Sequence, residues 1–224
     1  PYIIEDTHWY DEQEQWSLTD KRYAALVTHM DAAIGRLLDE LDRLHLRENT
    51  LVIFASDNGP AVQAPLQAFR CAAGFKGRKG QLYEGGIRVP FIVNQPGRVP
   101  VRQLSNPIYF PDMMPTLAAI AGAGKHLPAH SDGMDVSPLF VGKEMRTDNR
   151  MLYWEFPGKQ RAARKGKWKC VTIRPNKPLE LYDLEADPGE TRNLAKDYPA
   201  LVEQMDKEMR RMRTPSPYWP LADD

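Results

Sequence analysis

The fold is decided by the apolar run Thr50-Leu51-Val52-Ile53-Phe54-Ala55, which is followed at once by Ser56-Asp57-Asn58-Gly59-Pro60. The run shows no alternation of apolar and polar residues, so it predicts a strand buried on both faces. Asp57 and Asn58 then lie just past the carboxyl end of this strand, where open α/β sheets gather their ligands.

A long helix is predicted directly before this strand, over residues 22–46. Its apolar side chains recur at steps of three and four residues, as on one face of a helix. They are Tyr23, Leu26, Val27, Met30, Ile34, Leu37, Leu38, Leu41 and Leu44. Ser17 or Thr19 can cap its start. Helix, short link and buried strand form half of a βαβ unit and predict an α/β fold with a mostly parallel sheet.

The sequence pattern of the rest of the chain differs on the two sides of residues 123–149, which contain many turn-forming residues. Before them we predict a second apolar strand at residues 89–94 and a short helix at residues 111–122, with Met113, Met114, Leu117 and Ile120 inward. After them, four short runs separated by turns predict a small antiparallel sheet, and a Met-rich helix follows over residues 198–212. We therefore divide the chain into residues 1–145 and residues 146–224.

Composition excludes some classes of partner. Thirty basic and thirty acidic residues cancel, so no global charge favours a nucleic acid or an anionic membrane. No apolar run reaches the ~20 residues that span a bilayer. Cys71 and Cys170 have no metal spacing, and two unpaired structural thiols are favoured over a disulfide bridge. The chain has no initiator methionine or signal peptide, so we expect that it was cut or trimmed from something longer.

The first candidate for chemistry is the pair Asp57-Asn58. Asp-Asn-Gly can simply form a turn. However, the sequence after Pro60 does not alternate as a returning hairpin strand should. A carboxylate beside an amide oxygen offers two hard donors, which suit Ca²⁺ or Mg²⁺, although two ligands do not complete a site.

The second candidate is the glycine-rich basic loop at residues 74–90, which contains Lys79-Gly80-Gln81-Leu82-Tyr83-Glu84-Gly85-Gly86. It lacks the Gly-Lys-Ser/Thr of a phosphate-binding P-loop. From its chemistry alone it is either a solvated basic loop or a clamp in which Lys79 holds a tetrahedral anion.

Taken together, the Asp57-Asn58-Gly59 and Lys79–Gly86 motifs closely resemble the sulfatase family of the alkaline-phosphatase-like superfamily. Further similarity comes from residues 111–117 and residues 181–194. The resemblance implies an alkaline-phosphatase-like sheet with flanking helices, sulfate-ester hydrolysis, and a sulfated small molecule or glycan as substrate. It also implies that Asp57 and Asn58 bind a single Ca²⁺ and that Lys79 contacts the sulfate group. A periplasmic or extracellular location is suggested by the resemblance alone.

The chain departs from the family pattern at the nucleophile. The family uses a Cys or Ser in Cys/Ser-x-Pro-x-Arg, converted to formylglycine, and neither Cys71 nor Cys170 lies in that motif. The paired N-terminal Asp ligands and the Pro-His segment are also missing, and His8 is interpreted as a loop residue. The resemblance therefore implies the second half of the fold, inactive alone and packed against an N-terminal half.

Two alternative functions are considered, and one further pair of residues is a candidate for the substrate entrance. A phosphoryl or phosphonate ester hydrolase of the same superfamily is disfavoured by Asn58, because such relatives commonly place His there. A non-catalytic binding or structural module is favoured by the missing nucleophile. Trp154 and Glu155 are candidates to line the substrate entrance, the alternative being that Trp154 is buried under the last helix and Glu155 points into solvent.

Overall fold

The computed structural model describes residues 6–65, 69–128, 130–156, 160–174 and 177–218. It has an α/β fold that ends in a small antiparallel sheet and a C-terminal helix. Five helices and six strands follow one another along the described residues. In chain order they are α1 (Leu18–Arg43), β1 (Val52–Ala55), α2 (Glu84–Ile87), β2 (Phe91–Asn94), α3 (Met113–Ile120), α4 (Ser137–Phe140), β3 (Met151–Phe156), β4 (Gln160–Lys165), β5 (Trp168–Thr172), β6 (Glu180–Asp183) and α5 (Pro199–Met212).

The long helix α1 confirms the periodic pattern, although it begins four residues earlier and ends three residues earlier than predicted; of the two predicted caps, Ser17 is the one observed. Ser17 caps it by accepting a hydrogen bond from the Asp20 backbone, while the Asp20 carboxylate accepts one from Ser17, which makes a full capping box. Its apolar stripe is not covered by the described residues, however. Ala25 is the one residue of α1 that is buried, whereas Leu37 is 60% exposed.

The strands β1 and β2 pair antiparallel, with Val52 opposite Asn94 and Ala55 opposite Phe91. The sequence predicts a mostly parallel sheet, so for these two strands the direction differs from the prediction. The physical reason is the connection, because the described residues between β1 and β2 form loops and the short helix α2 rather than a long crossover helix. Mostly parallel sheets do carry antiparallel strands. The residues of β1 are half-buried rather than fully buried.

The helix α3 is shorter than predicted, and its inward face differs. Pro115 and Thr116 are buried, whereas Met114 is 61% exposed and Leu117 is also exposed. The prediction that Met114 and Leu117 point inward is therefore wrong for the described residues. Pro111 lies in a separate 3₁₀ turn, Phe110–Asp112, so that the helical period begins later than the sequence pattern indicates.

The second part of the chain is a four-stranded antiparallel sheet in the order β3-β4-β5-β6, as predicted. One face packs against α5 through a cluster that includes Cys170, Leu181, Met205 and Met209, which confirms the core role of the Met-rich stripe. The other face packs against the residues between β1 and β2. That cluster contains Leu82, Tyr83, Ala162, Val171, Tyr182 and Leu184. The sheet thus lies between α5 and the loop that carries the second sequence motif.

Several further predictions can be compared with the structure. Cys71 and Cys170 are unpaired. His8 lies in a short 3₁₀ turn, and its ring Nδ1 lies 2.6 Å from the Asp6 carboxylate. In the part of the chain that the structure describes, no helix is both long and apolar enough to cross a bilayer. The division at residues 145 and 146 stays a prediction.

Candidate active site

Asp57 and Asn58 lie in a bend directly after β1, as the sequence predicts. The Ser56 hydroxyl donates to the Asn58 carbonyl oxygen at 2.9 Å and fixes the bend. Asp57 is exposed and Asn58 is half-buried. Within the described ranges, neither the Asp57 carboxylate nor the Asn58 amide side chain has a hydrogen bond or an ion pair. Both oxygens are therefore available to a ligand.

The structure brings the two sequence motifs together through their backbones. The Gly59 N–H donates to the Gly86 carbonyl oxygen at 2.9 Å, and the Lys79 N–H donates to the Pro60 carbonyl oxygen at 2.9 Å. These two hydrogen bonds join the strand end that bears Asp57 to both ends of the Lys79–Gly86 motif. Sequence order alone shows no such contact.

Glycine is required at this junction because the backbones touch. A Cβ on Gly59 would overlap the carbonyl oxygen of Gly85, and a Cβ on Gly86 would overlap that of Gln81. A Cβ on Gly85 would lie 2.6 Å from the carbonyl oxygen of Lys76. Backbone atoms cannot move aside as the end of a flexible side chain can. These glycines therefore allow the two backbone segments to approach each other closely.

Lys79 and Lys76 have different environments although they share one loop. Lys79 is exposed, and no described residue pairs with its ammonium group. Lys76 Nζ, in contrast, donates to the Tyr182 hydroxyl at 2.9 Å, lies 3.6 Å from Glu180 and sits over the Tyr83 ring. Lys76 is thus occupied with packing the loop onto the sheet, whereas Lys79 is free to bind an anion.

The hydroxyls of Tyr83 and Tyr182 add to this contact. Both donate to one oxygen of Glu180, at 2.7 and 2.6 Å. Burial and then the hydrogen bond to Glu180 raise the pKa of each phenol far above its ordinary value. Both side chains therefore remain neutral donors under ordinary conditions and hold the loop to β6.

A group of three ionisable residues lies beneath the loop of residues 74–90, and sequence analysis missed it. Lys169 Nζ is 2.8 Å from Glu84 Oε1 and 3.0 Å from Glu190 Oε1. The Glu84 N–H donates to Glu190 Oε2 at 2.6 Å. Burial raises the pKa of Glu190, and the charge of Lys169 opposes that rise. Glu84 and Glu190 stand in quoted motifs, but nothing in the sequence pairs them with a lysine on β5.

Trp154 and Glu155 lie on opposite faces of β3. Trp154 is half-buried, packs against the cluster of Leu82 and Tyr83, and meets the Tyr109 ring edge-on at 6.1 Å. It lies on the sheet face away from α5, so it is not buried under the last helix. Glu155 Oε1 accepts from the Tyr153 hydroxyl at 2.6 Å and lies 2.9 Å from Arg213 Nε, so it does not simply point into solvent. A role in the substrate entrance stays a prediction for both residues.

The residues fit a calcium site only in part. Asp57 and Asn58 supply oxygen donors of the kind Ca²⁺ prefers, and neither side chain has another partner in the described part of the chain. Among the residues the structure describes, no group of three or more His, Cys, Asp or Glu side chains could hold a metal ion. Because Ca²⁺ takes roughly six to eight oxygens, these two residues would form a minor part of its coordination shell.

Comparison with known proteins now identifies the class of fold and site. Residues 2–123 match the profile of the family described as Sulfatase. Residues 75–215 match the family described as N-sulphoglucosamine sulphohydrolase, C-terminal. The chain belongs to the sulfatase family.

Individual relatives agree with this assignment. The chain is 33% identical to a sulfatase of Formosa agariphila over 81% of its own length and 36% of that protein. It is 34% identical to arylsulfatase A of Homo sapiens, over 74% of its own length and 37% of that protein. The crystal structure of Ps i-CgsB in complex with k-i-k-neocarrahexaose superimposes with a TM-score of 0.77 at 30% identity, covering 92% of this chain and 45% of that one. The chain thus spans less than half the length of these relatives.

Proposed function

We propose that this chain contributes the sulfate-holding part of an enzyme that hydrolyses sulfate esters, acting on a sulfated small molecule or glycan. The observation that carries the proposal is the junction of the two motifs, where backbone hydrogen bonds join the loop of Lys79 to the segment just after Asp57 and Asn58. The side chains of these three residues have no partner among the residues that the structure describes. Lys79 would hold the sulfate group, while Asp57 and Asn58 would bind Ca²⁺. Family membership supports the reaction class.

The charges of the site suit this reaction. Negative charge builds on the sulfuryl oxygens as the ester bond breaks, and positive charge placed in advance stabilises that state. An ammonium group is a compact point charge and needs no planar partner. Bound Ca²⁺ would supply further positive charge at the same oxygens. Lys79 would hold the sulfate group in place throughout the reaction.

The nucleophile of the proposed reaction would be a formylglycine formed outside these 224 residues. The exposed apolar stripe of α1 supports packing against a further part of the fold, because covering it removes apolar surface from water. Leu37, Met30 and Leu26 all lie on this stripe and are at least 40% exposed. We therefore place the N-terminal half of the proposed enzyme on this face of α1.

The role of Lys79 is tested by its Ala variant in the whole protein that contains this chain. We expect Lys79→Ala to lower kcat/KM for an aryl sulfate by more than about tenfold. The melting temperature should not change, since Lys79 has no partner among the described residues. Lys79→Arg is expected to fail as well, because a planar fork does not replace a point charge.

The matched controls are two neighbouring cations. Arg78→Ala should keep most of the activity, while Lys76→Ala should lower the melting temperature because it removes the contacts with Glu180 and Tyr182. Equal losses of turnover in the Lys79 and Arg78 variants would show that the loop acts collectively. Faster turnover of a phosphonate monoester than of an aryl sulfate would instead support the phosphorus-ester alternative.

A further inference from the structure

Glu84, Lys169 and Glu190 are here called the buried triad, and they lie beneath the loop of residues 74–90, here called the Lys79 loop. All three side chains are almost completely enclosed. Lys169 and Glu190 are 0% exposed and Glu84 is 3% exposed. The triad carries two carboxylates for one ammonium group, and Arg88 approaches Glu84 Oε2 at 3.6 Å from a half-exposed position. Glu84 is the first residue of α2, Lys169 lies on strand β5, and Glu190 lies in the turn after β6, so the triad joins three separate segments.

The triad is connected to the site by a short series of contacts. Glu190 accepts from the Glu84 N–H, which is the first N–H of α2. The next two residues of α2 are Gly85 and Gly86, and Gly86 accepts from Gly59. A displacement of Glu84 would therefore move the backbone that holds Gly59, which stands next to Asn58 in the chain.

Stability alone does not account for this arrangement. Removing ionised groups from water costs several kcal/mol each, and apolar residues of similar volume often stabilise a protein as well or better. Glu190 also has a left-handed backbone conformation, with φ of 53°. This conformation is energetically unfavourable for any residue that has a side chain. Costs of this kind persist where the geometry itself is needed.

We infer that the buried triad is a set of positioning residues, which hold the Lys79 loop against the end of β1. Its hydrogen bonds, from Lys169 to Glu84 and from the Glu84 N–H to Glu190, have fixed directions, whereas an apolar cluster would allow the loop to shift. The inference rests on the proposed function in one respect only, namely that the place of Lys79 matters for binding sulfate. The geometric part can be tested without any substrate.

The test measures hydrogen–deuterium exchange of the Gly59 and Lys79 amides in the whole protein that contains this chain, both unaltered and with Glu84→Ala. Both amides donate across the junction, so they report directly on whether the loop is docked. We expect Glu84→Ala to exchange both at least about tenfold faster, and the amides of β4 and β5 to accelerate by a smaller factor. Glu84→Gln should remain near wild type, because its amide oxygen can still accept from Lys169.

The matched control is Glu208→Ala, which removes a Glu–Lys pair of 2.9 Å between α5 and β4, away from the loop. It should leave the Gly59 and Lys79 amides unchanged. Wild-type exchange of these two amides in Glu84→Ala would overturn the inference. An equal acceleration of all core amides would also overturn it, since that result shows a stabilising role without positioning.

A second measurement covers the case in which Glu84→Ala does not fold. In the unaltered whole protein at low urea, the Gly59 and Lys79 amides should exchange through the same urea-sensitive opening as the amides of β5. Exchange through a separate, urea-insensitive opening would refute the coupling.

Activity data then separate this inference from the proposed function. In the whole protein, the loss in kcat/KM for Glu84→Ala and Lys79→Ala together should be smaller than the product of the single losses, because both act through one group. If Lys79→Ala retains full activity, the proposed function fails, while the exchange result still decides the positioning role. If the two losses multiply, Glu84 does not act through Lys79 and the positioning role is refuted.

Discussion

Gly59 and Gly86 are joined by a backbone hydrogen bond of 2.9 Å, and this contact assembles the candidate site. The two glycines belong to separate motifs, one after β1 and one in α2. Their lack of side chains allows the backbones to meet. Asp57, Asn58 and Lys79, whose side chains have no partner among the described residues, are then presented by one junction rather than by two independent loops.

The first prediction concerns this contact. Gly59→Ala would place a Cβ on the Gly85 carbonyl oxygen, which cannot move without displacing α2. We expect the free energy of unfolding to fall by about 1–3 kcal/mol, as for other overpacked sites. Urea denaturation followed by circular dichroism measures the change.

Gly35→Ala is the matched control, because the residue is inside α1 and, apart from its chain neighbours and its own helix backbone, no described residue has an atom within 4 Å of the added Cβ. Alanine favours a helix by about 0.5–1 kcal/mol over glycine, so this variant should be more stable than the wild type. Loss of stability in both variants to the same extent would contradict the role given to the Gly59–Gly86 contact.

The second prediction concerns Asp57. Asp57→Ala should abolish sulfate-ester turnover in the whole protein while the far-UV circular dichroism stays near normal, because the exposed carboxylate has no partner among the described residues. Removing calcium with a chelator should produce the same loss. Asp148→Ala, an exposed carboxylate paired with Arg146, should affect neither quantity. Undiminished turnover in Asp57→Ala would show that Asp57 is not a required metal ligand.

The third prediction concerns this chain alone. Isothermal titration of the 224-residue chain with Ca²⁺ should show weak binding or none, since two oxygens do not offset the dehydration of the ion. Micromolar binding that survives in Asp57→Ala would reveal a different calcium site.

The fourth prediction concerns Trp154. Its contacts with the Leu82 and Tyr83 cluster indicate that Trp154→Ala lowers the free energy of unfolding by about 3 kcal/mol, the lower end for a large aromatic residue because the side chain is half-buried. Trp154→Phe should recover part of this loss. A selective rise of KM for bulky substrates, with an unchanged melting temperature, would show instead that Trp154 lines the substrate entrance.

The fifth prediction concerns the two thiols. Burial raises the pKa of Cys170 to about 12, so its reactive thiolate is almost absent at pH 8. Cys71 is half-buried, near the surface. A thiol-reactive dye should therefore label Cys71 in the folded chain and Cys170 only after unfolding in urea. Rapid labelling of both thiols in the folded chain would contradict the burial of Cys170.

The amino-acid sequence by itself determined the types of helices α1, α3 and α5 and of the six strands, and it determined the candidate residues, but it did not predict α2 or α4. Helix α1, the four strands of the second sheet and the stripe of α5 follow from the period of apolar residues, which is a local property. The motifs around Asp57 and Lys79 were visible for a similar reason, because each is contiguous in the chain.

Only the tertiary structure decided how these parts meet. The antiparallel direction of β2, the Gly59–Gly86 contact and the inward residues of α3 all depend on the path of the chain between elements. The buried triad is the clearest case, because Lys169 and Glu190 lie 85 and 106 residues from Glu84 along the sequence. A local pattern carries no information about which distant charge will neutralise a buried carboxylate, since that choice follows from the packing of the sheet against the loop.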